Sequence, residues 1–288
     1  MPRASEFGKE INSDLWGPSP VQMPGKKEYY ASFTDDHMWW THIELLHTKD
    51  EVFNTYTDFE VCAKTQFRVR SFKRLRTDHG GKYFSQKFVQ HLATNGTKQI
   101  LTTHDTPTYN RVAERLNCIL LERTWAFLHS SALPKFLWGE AVKHTVWLKN
   151  RMAARALPNG KTLYKMLYSK KLNIAGLREW EMKVWVHDAS GTKLDGRSRI
   201  GQWIGFEEAS NTHRIFWPDN HSVTMEQNIK FNNNDLLIPC ALPPKGEKGE
   251  MGCQSTQDLS NTSTNPIEHN APQQEITEPP AKLIPENP

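Results

Sequence analysis

Lys73-Arg74-Leu75-Arg76-Thr77-Asp78-His79-Gly80-Gly81-Lys82-Tyr83 is the stretch whose reading decides the fold of this chain. Phe67 to Leu75 reads as a strand that delivers Asp78 at its end. Gly80-Gly81 then breaks the chain. Upstream, Asn12-Ser13-Asp14-Leu15-Trp16-Gly17-Pro18 places a second acid, Asp14, on a short strand predicted over Ile11 to Leu15. Residues 28–34 alternate and close on the turn signal Asp35-Asp36, and Met38 to Leu46 reads as the next strand. These three strands predict an antiparallel meander. Thr48 followed by Glu51 has the spacing of a capping box. It opens a helix whose apolar positions are Val52, Tyr56, Phe59 and Ala63.

Downstream of Gly81, a short helix is predicted over 84–92 and a strand over 99–102. Pro107 to His129 reads as a long helix with a buried stripe of Val112, Leu116, Ile119, Leu120 and Phe127. Glu114 lies two residues from both Val112 and Leu116, about 200° from each around the helix, so it faces away from the core. Leu137 to Met152 is one more amphipathic helix, with Trp138, Ala141, Val142 and Leu148 inward. The order βββαβαβαα is mixed α/β and has the pattern of the ribonuclease H-like fold. Beyond Pro158, strands predicted over 180–187, 202–206, 213–217 and 222–231 are separated by Gly, Pro, Asn and Asp turns, as in a small antiparallel barrel. The reading is therefore a core over 1–157, a β module with a helical lead-in over 158–235, and a tail over 236–288. Residues 235–288 hold nine of the 17 prolines and no aromatic residue. Such a composition cannot bury enough apolar surface to offset its ordering entropy, so the tail is expected to be disordered.

The mean hydropathy of -0.67 and the formal charge of +4 belong to a polar, mildly basic chain. All ten tryptophans precede the tail, which leaves the first part able to build a core. Cys62, Cys118, Cys240 and Cys253 form no CxxC pair and no zinc spacing, so free thiols in a reducing compartment are expected. No apolar run reaches a membrane span, and the first twenty residues lack a signal-peptide centre. Basic residues gather at Lys64, Arg68, Arg70, Lys73, Arg74 and Arg76, just before Asp78. Alone, such a run is commonly a solvated strand edge; beside a phosphate-directed site it becomes a nucleic-acid contact.

Three carboxylates brought together from two strands and a helix suit two divalent metals at a scissile phosphate. Asp35 and Asp36 rival Asp14 as the first acid, but they sit at a turn between strands. His104 and His187 lack ligand partners at useful spacing.

The residues that carry a family likeness are Ser13-Asp14-Leu15-Trp16-Gly17-Pro18, Phe33-Thr34-Asp35-Asp36-His37, Thr77-Asp78-His79-Gly80-Gly81, Ala113-Glu114-Arg115-Leu116-Asn117 and Leu137-Trp138-Gly139-Glu140-Ala141, followed by Gly201-Gln202-Trp203-Ile204-Gly205-Phe206. Over residues 10–235 the chain resembles the integrase segment of copia-type LTR retrotransposon Pol polyproteins, catalytic core plus SH3-like module. The resemblance implies DNA integration by metal-dependent polynucleotidyl transfer, with 3′-end processing and strand transfer. It implies Asp14, Asp78 and Glu114 as catalytic acids and ligands of two Mg²⁺ ions, with Mn²⁺ as substitute. Asp14 would bridge both ions. In such sites the ions clamp the attacking and leaving oxygens of an in-line displacement. Asn110, Arg111, Arg115, Arg74, Arg76 and Lys143 are the expected nucleic-acid contacts. The implied partners are element-end and target DNA, RNA as a second possibility, and further copies of the chain. No membrane is expected, and the location implied is the nucleus after synthesis in the cytoplasm.

Three departures from the family pattern predict a degenerate copy. His79 stands where the family has Asn, Lys82 where it has Glu, and Arg111 where it has Gly. Met38 and Trp39 replace a usual Ser-Arg pair. A zinc-binding His/Cys module, a protease and a reverse transcriptase are not seen in the sequence. The alternative reading is therefore an inactive integrase relic that binds DNA or RNA.

Overall fold

The computed structural model describes residues 3–78, 80–101, 107–152, 162–170, 172, 177–187, 197–207 and 210–232, with the side chains of 107–112 left aside. The chain divides into two units at residue 244, and all described residues lie in the first. The predicted tail lies outside the described residues.

The first sheet contains β1 (Glu10–Trp16), β2 (Tyr29–Asp35), β3 (Thr41–Leu46), β4 (Arg74–Thr77) and β5 (Lys98–Leu101) in the order β3-β2-β1-β4-β5. β1 runs antiparallel to β2, and β2 to β3, whereas β1, β4 and β5 run parallel. This is the ribonuclease H-like arrangement. Helices cover both faces: α1 (Val52–Phe67) and α2 (Gln86–Thr94) on one, α3 (Pro107–Ser130) and α4 (Trp138–Lys149) on the other.

Strand periodicity sorts the two faces. Ala31, Phe33 and Leu46 pack with Phe59 and Phe88 under α1 and α2, while Tyr30, Ile43 and Leu45 pack with Leu116, Leu120 and Trp138 under α3 and α4. Side chains alternate across a strand. Ser13 therefore points with Ile11 toward the first face, where it shares a 2.7 Å hydrogen bond with the Tyr83 hydroxyl. Asp14 points to the second face, beside α3.

Several predicted boundaries move, each for a local reason. The strand predicted from Met38 begins at Thr41, because Asp35 accepts hydrogen bonds from Gly8 N (2.8 Å) and Met38 N (2.7 Å) and closes a hairpin turn. The strand predicted from Phe67 begins at Arg74. Phe67 instead ends α1, and Arg68 caps that helix with left-handed backbone at φ 57°. The capping box is half realised. Thr48 makes no capping bond, and Glu51 reaches back to His47 N at 2.9 Å.

The second sheet is all antiparallel: β6 (Lys183–His187), β7 (Ser198–Glu207), β8 (Thr212–Trp217), β9 (Ser222–Glu226) and β10 (Ile229–Phe231), ordered β10-β6-β7-β8-β9. The single strand predicted over 222–231 is two strands, with the second returning to pair with β6. A short helix, α5 (Leu163–Tyr168), precedes this sheet and is capped by Thr162, whose hydroxyl accepts from Lys165 N at 3.1 Å.

The motif Leu137-Trp138-Gly139-Glu140-Ala141 joins the two sheets. Leu137 and Ala141 are fully buried. Trp138 donates its indole N–H to Val21 O at 2.8 Å. Gly139 presses against β3 and the Met23 loop so closely that a Cβ there would meet Met23 Sδ at 2.5 Å. Glu140 accepts two bonds from Arg214 on β8, at 2.5 and 2.6 Å. One apolar cluster runs from Ile43 and Leu120 through Val142 to Trp180, Ile204 and Phe216.

Candidate active site

Asp14 sits where β1 passes beneath α3. Its Oδ1 accepts from Leu15 N at 2.8 Å, and its Oδ2 accepts from Asn117 Nδ2 at 2.6 Å. Asn117 is itself held, because its Oδ1 accepts from the buried Tyr30 hydroxyl at 3.1 Å. A relay of three residues thus fixes the orientation of one carboxylate. Burial pushes the Asp14 carboxyl up to about 6, helped by repulsion from Asp78 and Glu114 and opposed by the Leu15 N–H and by Lys82. Asp78 and Glu114 are therefore both near enough for Asp14 to sense their charge.

Asp78 follows the last residue of β4 and reaches the same end of the sheet. Its Oδ1 accepts from Gly80 N at 3.2 Å and its Oδ2 pairs with Lys82 Nζ at 3.3 Å. Glu114 is exposed on α3, on the side away from the Leu116 and Leu120 stripe. Asn117 follows it by three residues, so the two share one helical flank. Among the described residues, no three His, Cys, Asp or Glu side chains form a compact ligand cage.

Two tobacco and Arabidopsis proteins match most of this chain. One, "Retrovirus-related Pol polyprotein from transposon TNT 1-94" of Nicotiana tabacum, is 27% identical over 93% of this chain and 20% of its own length. The other, "Retrovirus-related Pol polyprotein from transposon RE1" of Arabidopsis thaliana, is 24% identical over 89% of this chain and 18% of its own length. Residues 182–239 match the retroviral polymerase SH3-like domain family. Its homologues are retrovirus-related Pol polyproteins of plant transposons. The chain spans a fifth or less of the length of these Pol polyproteins. Solved structures of similar fold include the simian T-cell lymphotropic virus intasome in complex with the PP2A regulatory subunit B56 gamma, at 15% identity and TM-score 0.48 over 80% of this chain and 81% of that one. The HTLV-2 integrase catalytic core in complex with magnesium aligns at 16% identity and TM-score 0.43 over 57% of this chain and 99% of that one.

The remaining site residues expected from the Pol resemblance scatter. Arg74 and Arg76 both engage Glu10 on β1, and the Arg76 side chain is only 11% exposed, so Arg76 is tied to the sheet. Lys143 lies 3.7 Å from Glu44 on the edge strand β3, two strands from β1, and is not brought to the acids. Arg115 is exposed beside Glu114. The side chains of Asn110 and Arg111, and all of His79 and His104, lie outside the described residues. Arg111 nevertheless falls inside α3. Arg in the family's Gly position therefore carries no backbone strain, since helical φ suits any L-residue. Asp35 and Asp36 are spent on backbone N–H groups of Gly8, Met38 and Ala4, which is a structural use.

Sequence reasoning gave Asn117 no role, although the Glu114-to-Asn117 spacing was its signal. It also missed Glu10, which anchors two arginines, and the tie between Ser13 and Tyr83.

Proposed function

We propose that this chain is the integrase portion of a copia-type retrotransposon Pol polyprotein, and that Asp14, Asp78 and Glu114 act together on DNA phosphodiesters. The observation that carries this reading is the Asp14 carboxylate. It is held by Asn117, partly desolvated, and crowded by the other two acids. Such like charge, only partly offset by Lys82, costs stability and is characteristic of functional sites.

The donor set fits a hard divalent cation. It is all oxygen, negatively charged and partly open. Mg²⁺, or Mn²⁺ in its place, would polarise the attacking and leaving oxygens of an in-line displacement there. The chain's own residues do the positioning. Asn117 and Leu15 N–H fix the plane of Asp14, Gly80 N–H fixes Asp78, and α3 presents Glu114 outward to an approaching DNA backbone. Arg115 stands beside it as a phosphate contact, and Arg74, at the start of β4 and paired with Glu10, is a more distant one. Element-end and target DNA are the proposed substrates. Concerted joining of two ends would require further copies of the chain, and the nucleus is the proposed place of action. RNA is a weaker candidate ligand.

A second reading, a nucleic-acid-binding relic without chemistry, is favoured by one observation: the ammonium of Lys82 already occupies Asp78. The test is metal-dependent nicking of supercoiled plasmid by the full chain, with Glu114→Gln as control. Nicking that needs Mn²⁺ or Mg²⁺ and disappears in Glu114→Gln supports the enzyme. DNA binding by folded protein without any nicking supports the relic.

A further inference from the structure

We propose that Lys82 is a built-in counter-ion of the acid site, which competes with divalent cations for Asp78 and must be displaced before such a cation can engage that carboxylate. This inference rests on the metal-binding reading above and says how that binding is restrained in this chain.

The geometry is that of a built contact, unlike a loose surface pair. Gly81–Tyr83, just beyond Asp78, forms one turn of 3-10 helix, and Lys82 on it reaches back to the acid. Lys82 Nζ lies 3.3 Å from Asp78 Oδ2, and its side chain is 10% exposed against 35% for Asp78. The lysine is thus the more buried partner. Its stem packs against Gly80, where a Cβ would come within 3.2 Å of Lys82 Cε and 3.0 Å of Asp78 Oδ1. Any larger residue at Gly80 would crowd the pair. The ammonium also lies 5.0 Å from the centre of the Tyr83 ring, a cation–π distance. Tyr83 is fully buried and tied to Ser13, the neighbour of Asp14. The perch that holds the lysine is therefore fixed to the strand that carries the first acid.

With Gly80 N–H on one oxygen and Lys82 on the other, both oxygens of Asp78 are engaged. A cation binding there must repel or eject the ammonium. An exposed i,i+4 ion pair would have little influence on such binding. A partly desolvated one, seated on the ligand itself, repels a dication strongly.

Mn²⁺ binding is measured by calorimetric titration on the full chain, with Lys82→Gln and Lys82→Arg beside it. Lys82→Gln is expected to bind Mn²⁺ about tenfold more tightly than the unaltered chain, as removal of a unit charge a few ångströms away should allow. Lys82→Arg should stay weak. A second measurement needs no variant: mass-spectrometric footprinting of lysine amines should show Lys82 protected without Mn²⁺ and labelled with it. Equal Mn²⁺ affinity in the unaltered chain and Lys82→Gln, with labelling of Lys82 unchanged by Mn²⁺, overturns the inference while the metal-binding reading stands. No Mn²⁺ binding to either folded protein overturns both.

Discussion

Asp14 and Glu140 are two carboxylates set into the same packed unit, and they are treated in opposite ways. Glu140 is 4% exposed and meets the fork of Arg214 through two short bonds, with Glu207 adding a third contact at 3.3 Å. Its charge is cancelled where it lies. Asp14 accepts directly only from an amide N–H and a backbone N–H, and it faces two further acids. Lys82, paired with Asp78, offsets its charge only in part. One carboxylate is cancelled where it lies and ties parts of the fold together; the other is oriented but stays under strain.

The largest effect expected from breaking this contrast is at the cancelled charge. Glu140→Ala leaves the part-buried Arg214 with only its longer contact to Glu207, so a loss of about 3 kcal/mol, the lower end for breaking a buried pair, is expected in urea unfolding. Replacing the pair together, with Glu140→Leu and Arg214→Met, should cost far less. If the single change is as mild as the double, the clamp contributes little to the fold.

Asp14→Asn should move stability the other way. The carboxyl is raised from 3.8 to about 6, so the native state holds its proton more tightly than the unfolded chain. Its contribution is then most favourable below pH 3.8 and is lost as pH rises toward 6, a decline of about 3 kcal/mol by linkage. Asp35 is raised to about 6 as well, first by burial, and adds a slope of the same sign. The test is therefore a difference. Melting curves of Asp14→Asn and the unaltered chain should diverge between pH 4 and 6, with the variant more stable at neutral pH. Parallel curves would mean that Asp14 is not under strain.

Gly139→Ala tests the joint from the apolar side. Its Cβ would fall 2.5 Å from Met23 Sδ and 2.9 Å from Leu45 Cδ1, so overpacking should cost about 1–3 kcal/mol in thermal or urea unfolding. The smallest effect on folding is expected at Arg115, which is exposed on α3. Arg115→Ala should change stability by under about 0.5 kcal/mol, yet lower the slope of DNA affinity against salt by about one counterion. An unchanged slope would remove Arg115 from the proposed interface.

The strands and helices of the first sheet were legible because their apolar periodicities are clean. Ile11, Phe33, Phe59, Leu75 and Leu116 sit in the core that their spacing predicts. Boundaries failed where a side chain outside the pattern intervened. Asp35 gathered two N–H groups and shortened β3, and the left-handed Arg68 ended α1 where a strand had been read. The acids themselves were legible as ends of elements, since Asp78 closes a strand and Glu114 opposes an apolar stripe. The residues that orient Asp14 were hidden because they depend on tertiary approach. Nothing local in Tyr30 or Asn117 tells that they meet across 87 residues. The partner of the basic run before Asp78 was hidden for the same reason: Glu10, on a different strand, gathers in Arg74 and Arg76.

The apolar cluster that passes from Ile43 and Leu120 into Trp180, Ile204 and Phe216 makes the two sheets depend on one another. A chain cut between the two sheets would carry an open greasy flank where that cluster now lies. Loss of the second sheet should therefore lower the stability of the first.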